Sequence, residues 1–170
     1  MRVLWAPWRL SYVEKPDDRS GCIFCDKPGL AAPERRREQL VLRSTEHASV
    51  IMNLFPYANA HLLVAPRAHT ADFARLPAAL ADHLHAELQL AVRVLEKAFS
   101  PAGFNIGMNL GRPAGAGIAE HLHWHIVPRW VGDVNFMAVL ADTRVMPEHL
   151  LATYDRLLPL FEAEGNTEAA

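Results

Sequence analysis

The chain has 170 residues, of which 51% are hydrophobic and 21% charged, with a formal net charge of −2. That is enough for one compact domain with a real core and too little for two ordinary ones, and the charge argues against a broad electrostatic grip on nucleic acid. No run approaches the ~20 apolar residues that cross a bilayer, and "MRVLWAPWRLSY" has prolines and arginines where a signal peptide needs an apolar stretch, so no membrane partner and a cytoplasmic location are expected.

Residues 1–20 read as an arm, with two tryptophans and a proline in "LWAPWR" ahead of the polar loop "EKPDDRSG". The only two cysteines follow, in "GCIFCD". One bridge between Cys22 and Cys25 would not staple a chain of this size. A redox pair wants a strand before the motif, and a loop stands there instead, which favours half a zinc site with two ligands still to be found. "KPGLAAPERRREQ" (27–39) reads as an exposed connection. Short β-branched and apolar runs at 39–44, 48–54 and 60–66 predict three strands, the last two joined by "NLFPYANAH" with Pro56 and Asn59 as turn residues. Thr70 is the expected N-cap of a helical turn over 71–76. Pro77 then occupies a first-turn position, and Leu80, Leu84, Leu88, Ala91, Val92 and Leu95 fall at helical spacing in a long amphipathic helix over 78–99. Two further strands are predicted at 103–110 and 121–128, around the glycine-rich "GRPAGAGIAE". A terminal helix over 146–161 and a frayed tail at 164–170 complete the reading. Strands, one long helix, then strands again predict an α+β domain over 21–163, with an antiparallel sheet of about five strands carrying a helix on one face.

Three stretches carry chemistry. In "HLHWHIVPR" (121–129) a strand would point His121, His123 and His125 to one face, with the outer pair about 13 Å apart. That is too far for one ion to bind all three at ~2 Å. Either two of them share an ion, or the row divides its labour: one imidazole attacks, another fixes its tautomer, a third contacts the electrophile. "NLGRPAGAG" offers backbone N–H groups that suit phosphate oxygens, just ahead of that row. In "MNLFPYANAH", Asn53 closes one strand and His61 opens the next, and either residue alone reads equally well as an ordinary strand end.

"HLHWHIVPR" resembles the motif of the histidine-triad (HIT) family, and "NLFPYANAHLLVAPRAH" and "GFNIGMNLGRPAGAG" are similar to two further blocks of that family. The resemblance spans about residues 20 to 130. "LWAPWR" and "GDVNF" look like the branch that contains diadenosine tetraphosphate phosphorylases. The resemblance implies a nucleotidyl transferase or hydrolase acting on nucleotides or dinucleoside polyphosphates. His123 would be the nucleophile, attacking the α-phosphorus to form a nucleotidyl-histidine. His125, His61, Asn109, Gly115 and Gly117 would contact phosphate, and Asn53 the ribose. Ile23, Phe24, Ile51 and Leu54 would wall the base. It also implies a structural zinc ion on Cys22, Cys25, His69 and His121, no metal in the chemistry itself, and a homodimer built through the long helix and its adjoining strand. Gly115, Ala116 and Gly117 stand where many members of the family carry a polar side chain, so inorganic phosphate and water both remain open as the second-step acceptor. His47, His83, His85 and His149 fall outside every motif.

Overall fold

A computed structural model describes residues 21–27, 33–133 and 146–167. The arm at 1–20, the last three residues of "GDVNF" and residues 168–170 lie outside the described residues. Strands β1 (Val41–Ser44), β2 (Ala48–Met52), β3 (Leu62–Pro66), β4 (Gly103–Met108) and β5 (Trp124–Arg129) form one sheet in the order β1-β2-β3-β5-β4, every neighbouring pair antiparallel. Helices α1 (Ile23–Asp26), α2 (Pro33–Glu38), α3 (Ala78–Phe99) and α4 (Leu150–Thr167) accompany it. The α+β class, the five antiparallel strands and the long helix are as the sequence predicts.

Strand alternation sorts the side chains onto two faces. Leu42, Val50, Met52, Leu62, Val64 and Ile126 point into the main core, where they meet Leu84, Leu88, Leu90, Ala91, Val94 and Leu95 of α3 and Tyr154, Leu157 and Phe161 of α4. Val41, Ile51, Leu63 and Ala65 point the other way and form a smaller cluster with Phe24 of α1. This second face holds the site. The β2–β3 register pairs Ile51 with Leu63, and Leu63 faces His125 across β5. One step further along the hairpin, the Asn53 N–H donates to the His61 carbonyl (2.9 Å), so Asn53 and His61 continue the same row.

Several boundaries differ from expectation. β5 begins at Trp124, so His121 and His123 lie in the segment leading into the strand and only His125 belongs to it. Continuing the β3–β5 register would set Leu122 opposite Pro66, which has no N–H for a ladder. The Leu122 N–H donates instead to the Thr70 carbonyl at 2.7 Å. The turn at Phe73–Arg75 is a single 3-10 turn capped by Asp72, whose side chain accepts from the Arg75 N–H, while the Thr70 hydroxyl accepts from the Asp72 N–H. Pro77 is the N-cap of α3 rather than a first-turn residue. Residues 33–38, expected as open connection, are the helix α2. α4 starts at Leu150, later than predicted, and runs to Thr167 through part of the stretch expected to fray.

Candidate active site and metal centre

Hydrogen-bond partners fix the protonation of each ring in the row, because a carbonyl can only accept and a backbone N–H can only donate. His123 Nδ1 lies 2.9 Å from the carbonyl of His121, so it carries the proton and leaves a lone pair on Nε2. His61 Nδ1 receives the Tyr57 N–H at 3.1 Å, so its proton sits on Nε2 and is donated to His125 Nδ1 at 3.0 Å. His125 must then carry its own proton on Nε2, a buried atom that has no hydrogen-bond partner among the described residues. An unprotonated Nε2 on His123 thus stands beside an N–H donor on His125, with ring centroids 5.1 Å apart.

Burial favours the neutral forms these roles need. It holds His123 below the ordinary histidine range, against the pull of its bond to the His121 carbonyl. For His125, burial and then the nearby His123 push the value down to about 4. At neutral pH His125 is therefore an uncharged donor.

A second cluster adjoins the first. The ligand atoms of Cys22, Cys25, His69 and His121 all lie within 4.8 Å of one another. His121 Nδ1 is 3.2 Å from Cys22 Sγ, 3.5 Å from Cys25 Sγ and 3.2 Å from His69 Nδ1, and Cys25 Sγ is 3.3 Å from His69 Nδ1. A tetrahedral zinc ion with bonds of ~2.0 Å to nitrogen and ~2.3 Å to sulfur spaces its ligand atoms by roughly 3.3–3.8 Å, so this donor set fits. The tautomer agrees: His121 Nε2 is 2.8 Å from the Pro66 carbonyl and must donate to it, which leaves Nδ1 free for an ion. Burial, and then the neighbouring Cys22, pushes the Cys25 thiol up, so loading the site would release protons. Four protein ligands would close a tetrahedral site, the donor set of a structural rather than a catalytic zinc ion.

The other sequence-predicted residues are distributed unevenly. Phe24 is fully buried and its ring stacks on His123, 4.8 Å between centroids, while Ile51 is 1% exposed in the same small cluster. Both are packing residues in this arrangement. Ile23 is half-buried against them, whereas Leu54 is 49% exposed and not part of the cluster. Asn109 is half-buried, and a Cβ on Gly115 would lie 3.6 Å from its amide nitrogen. Gly115 has φ +94°, a left-handed conformation that a side chain would strain, and Gly117 is exposed. The Asn53 side chain is engaged with His61, its nitrogen 3.2 Å from His61 Nδ1. Tyr57 was not singled out by sequence, yet its ring is near-parallel to that of His125 at 5.8 Å; an aromatic four residues ahead of His61 was the available signal.

The HIT domain model matches residues 34–131, and the chain belongs to the HIT family. It is 36% identical over 162 residues to the AP-4-A phosphorylase of Mycobacterium tuberculosis, covering 93% of this chain and 83% of that one. It is 30% identical over 108 residues to an adenosine 5'-monophosphoramidase of Schizosaccharomyces pombe, covering 64% and 74% respectively. Among solved structures, a zinc-bound histidine triad family protein from Mycobacterium smegmatis superposes with a TM-score of 0.66 at 25% identity, over 86% of this chain and 97% of that one. The chain is accordingly a HIT-type enzyme of nucleotidyl transfer or hydrolysis.

Proposed function

We propose that this protein transfers a nucleoside 5'-phosphate from a dinucleoside polyphosphate onto His123, and from there to inorganic phosphate, in the manner of a diadenosine tetraphosphate phosphorylase. The observation that carries this reading is the pairing of an unprotonated Nε2 on His123 with the unpartnered Nε2–H of His125. In the first step the His123 lone pair attacks the α-phosphorus. The P–O bond to the remaining polyphosphate breaks, and its electron pair leaves with that nucleotide. His123 becomes cationic, and its Nδ1–H stays on the His121 carbonyl. His125, a donor fixed before reaction, stabilises the charge that gathers on the phosphoryl oxygens. In the second step a phosphate oxygen attacks phosphorus, the P–N bond breaks and its pair returns to Nε2. Asn109 and the backbone N–H groups around Gly115 and Gly117 would contact phosphate, and Ile23, Phe24, Ile51 and Leu54 would border the base once the buried pair gives way.

The phosphorylase reading rests on the similarity to the mycobacterial AP-4-A phosphorylase. Water as the acceptor is the second reading, favoured by a Gly115–Gly117 stretch that offers phosphate only backbone. A cytoplasmic location fits that substrate class, and among the described residues no helix is long and apolar enough to cross a membrane. A homodimer fits the exposed edge of β4, where Ile106 is 49% exposed beside a groove lined by His85, Leu88, Gln89, Val92 and Arg93.

The test is product analysis with diadenosine tetraphosphate. ADP formed only when phosphate is present identifies the phosphorylase, and AMP formed regardless of phosphate identifies the hydrolase. His123→Ala should abolish both while nucleotide still binds. Wild-type protein trapped in a single turnover should carry about one nucleotidyl group per chain, and undiminished turnover by the variant refutes the assignment.

A further inference from the structure

The resemblance to the family gives Asn53 one role, contact with the ribose. In the structure its side chain is already committed. The Phe55 N–H donates to Asn53 Oδ1 at 3.0 Å, which orients the amide and turns its NH2 toward His61 Nδ1, 3.2 Å away. The Tyr57 N–H reaches the same ring nitrogen at 3.1 Å. Two donors therefore converge on His61 Nδ1 and exclude a proton from it. The consequence runs along the row: His61 holds its proton on Nε2, gives it to His125 Nδ1, and leaves His125 with a donor at Nε2. Had His61 the opposite tautomer, its bare Nε2 would require His125 to be protonated on Nδ1. The His125 atom left over would then be a lone pair, which repels phosphate oxygens.

We propose that Asn53 is a positioning residue that acts through His61 to hold His125 in the tautomer whose Nε2–H serves the phosphoryl oxygens. This rests on the nucleotidyl-transfer reading above for its catalytic part only. The register explains why the residue stands there. Asn53 and His61 are paired across the β2–β3 hairpin and share the face that holds Leu63 and His125, so a short amide on Asn53 reaches the ring without leaving the sheet. Any contact with a ribose would add to this role.

A thermodynamic cycle separates the two roles. Wild type and Asn53→Ala are compared on a dinucleoside tetraphosphate and on its 2',3'-dideoxy counterpart, which has no ribose hydroxyls to bind. Positioning predicts that the variant loses kcat, by a factor approaching the ~10²-fold that one transition-state donor supplies, and that the loss is as large on the dideoxy substrate. A ribose contact alone predicts a penalty in KM that disappears on that substrate, and this result overturns the proposal. The second arm needs no turnover: nitrogen-15 spectra of labelled histidine rings, recorded on both full-length proteins. The wild-type His61 and His125 rings should each be protonated at Nε2 alone; Asn53→Ala loses one of the two donors and also the Phe55 bond that shapes the turn presenting the Tyr57 N–H, so its His61 ring should divide between tautomers. Identical His61 signals in the two proteins also overturn the proposal. If wild type forms no nucleotidyl-histidine, the reaction assignment fails while the ring spectra still decide the role of Asn53.

Discussion

At the scale of single residues, the site's chemistry comes down to where protons sit on rings, and pH tests that. The unfolded chain's His125 takes up a proton near the ordinary value of ~6.5, whereas the folded one does so only at about 4. Between these values the unfolded state binds more protons, so folding stability contributed by a neutral His125 is complete above the upper value and is lost as pH falls toward the lower one. The window is worth up to about 3 kcal/mol. His125→Gln, which has no proton to gain, should therefore show a flatter decline in urea midpoint from pH 7 to pH 4.5 than wild type; equal slopes would show that His125 is not held neutral. That His61, His123 and His125 gather at one place was legible from their alternation and from the two outlying blocks, since residue type and spacing are written in the chain. The tautomers were not. They depend on the carbonyls of Pro66 and His121 and the N–H of Tyr57, backbone groups whose directions only the fold supplies. Phe24 shows a related limit: apolar residue type does not reveal that its ring packs on His123.

At the scale of elements, α3 could be read to its ends because its apolar spacing is long and periodic, with Ser100 at φ +45° and Pro101 closing it. β5 could not, because its apolar alternation extends back through Leu122 while the ladder stops where Pro66 withholds an N–H. α2 does not show in the sequence because six residues with five charges and no apolar stripe give no period to detect. β4 carries the element-level prediction. Ile106 pairs with Ile126 and so points to the main core face, yet it is half exposed while Ile126 is fully buried, because α3 leaves this edge of the sheet uncovered. A second copy laid against the edge would cover it. Ile106→Asp would then place an unpaired carboxylate in that contact, at a cost of several kcal/mol. The variant should run as a folded monomer by light scattering at concentrations where wild type is a dimer, with unchanged circular dichroism. A wild-type monomer, or a variant still dimeric, removes β4 from the interface.

At the scale of the whole molecule, the Cys2His2 group that could hold a metal and the candidate active site are one construction joined at His121. Its Nδ1 faces the cysteines, its Nε2–H is held by Pro66, and its carbonyl receives the Nδ1–H of His123. α1 is four residues long, far below the ~12 that a helix needs to persist alone, so its place against the sheet depends on what anchors Cys22 and Cys25. α1 also carries Phe24, whose ring packs on His123. An ion at this site would hold the segment, the Phe24 ring and the orientation of His123 together. Stripping the metal with a chelator should accordingly lower Tm and loosen the segment around Cys22 to hydrogen exchange, with activity falling in step with that loosening. Replacing the ion by cobalt should restore Tm and give the visible absorption of tetrahedral cobalt bound to thiolate, with kcat returning to its original value. An ion with a purely structural role predicts the same kcat with zinc, cobalt or cadmium bound. A kcat that follows the identity of the ion while Tm stays constant would mean that the metal takes part in the chemistry, and His123 would lose its standing as a nucleophile that acts alone.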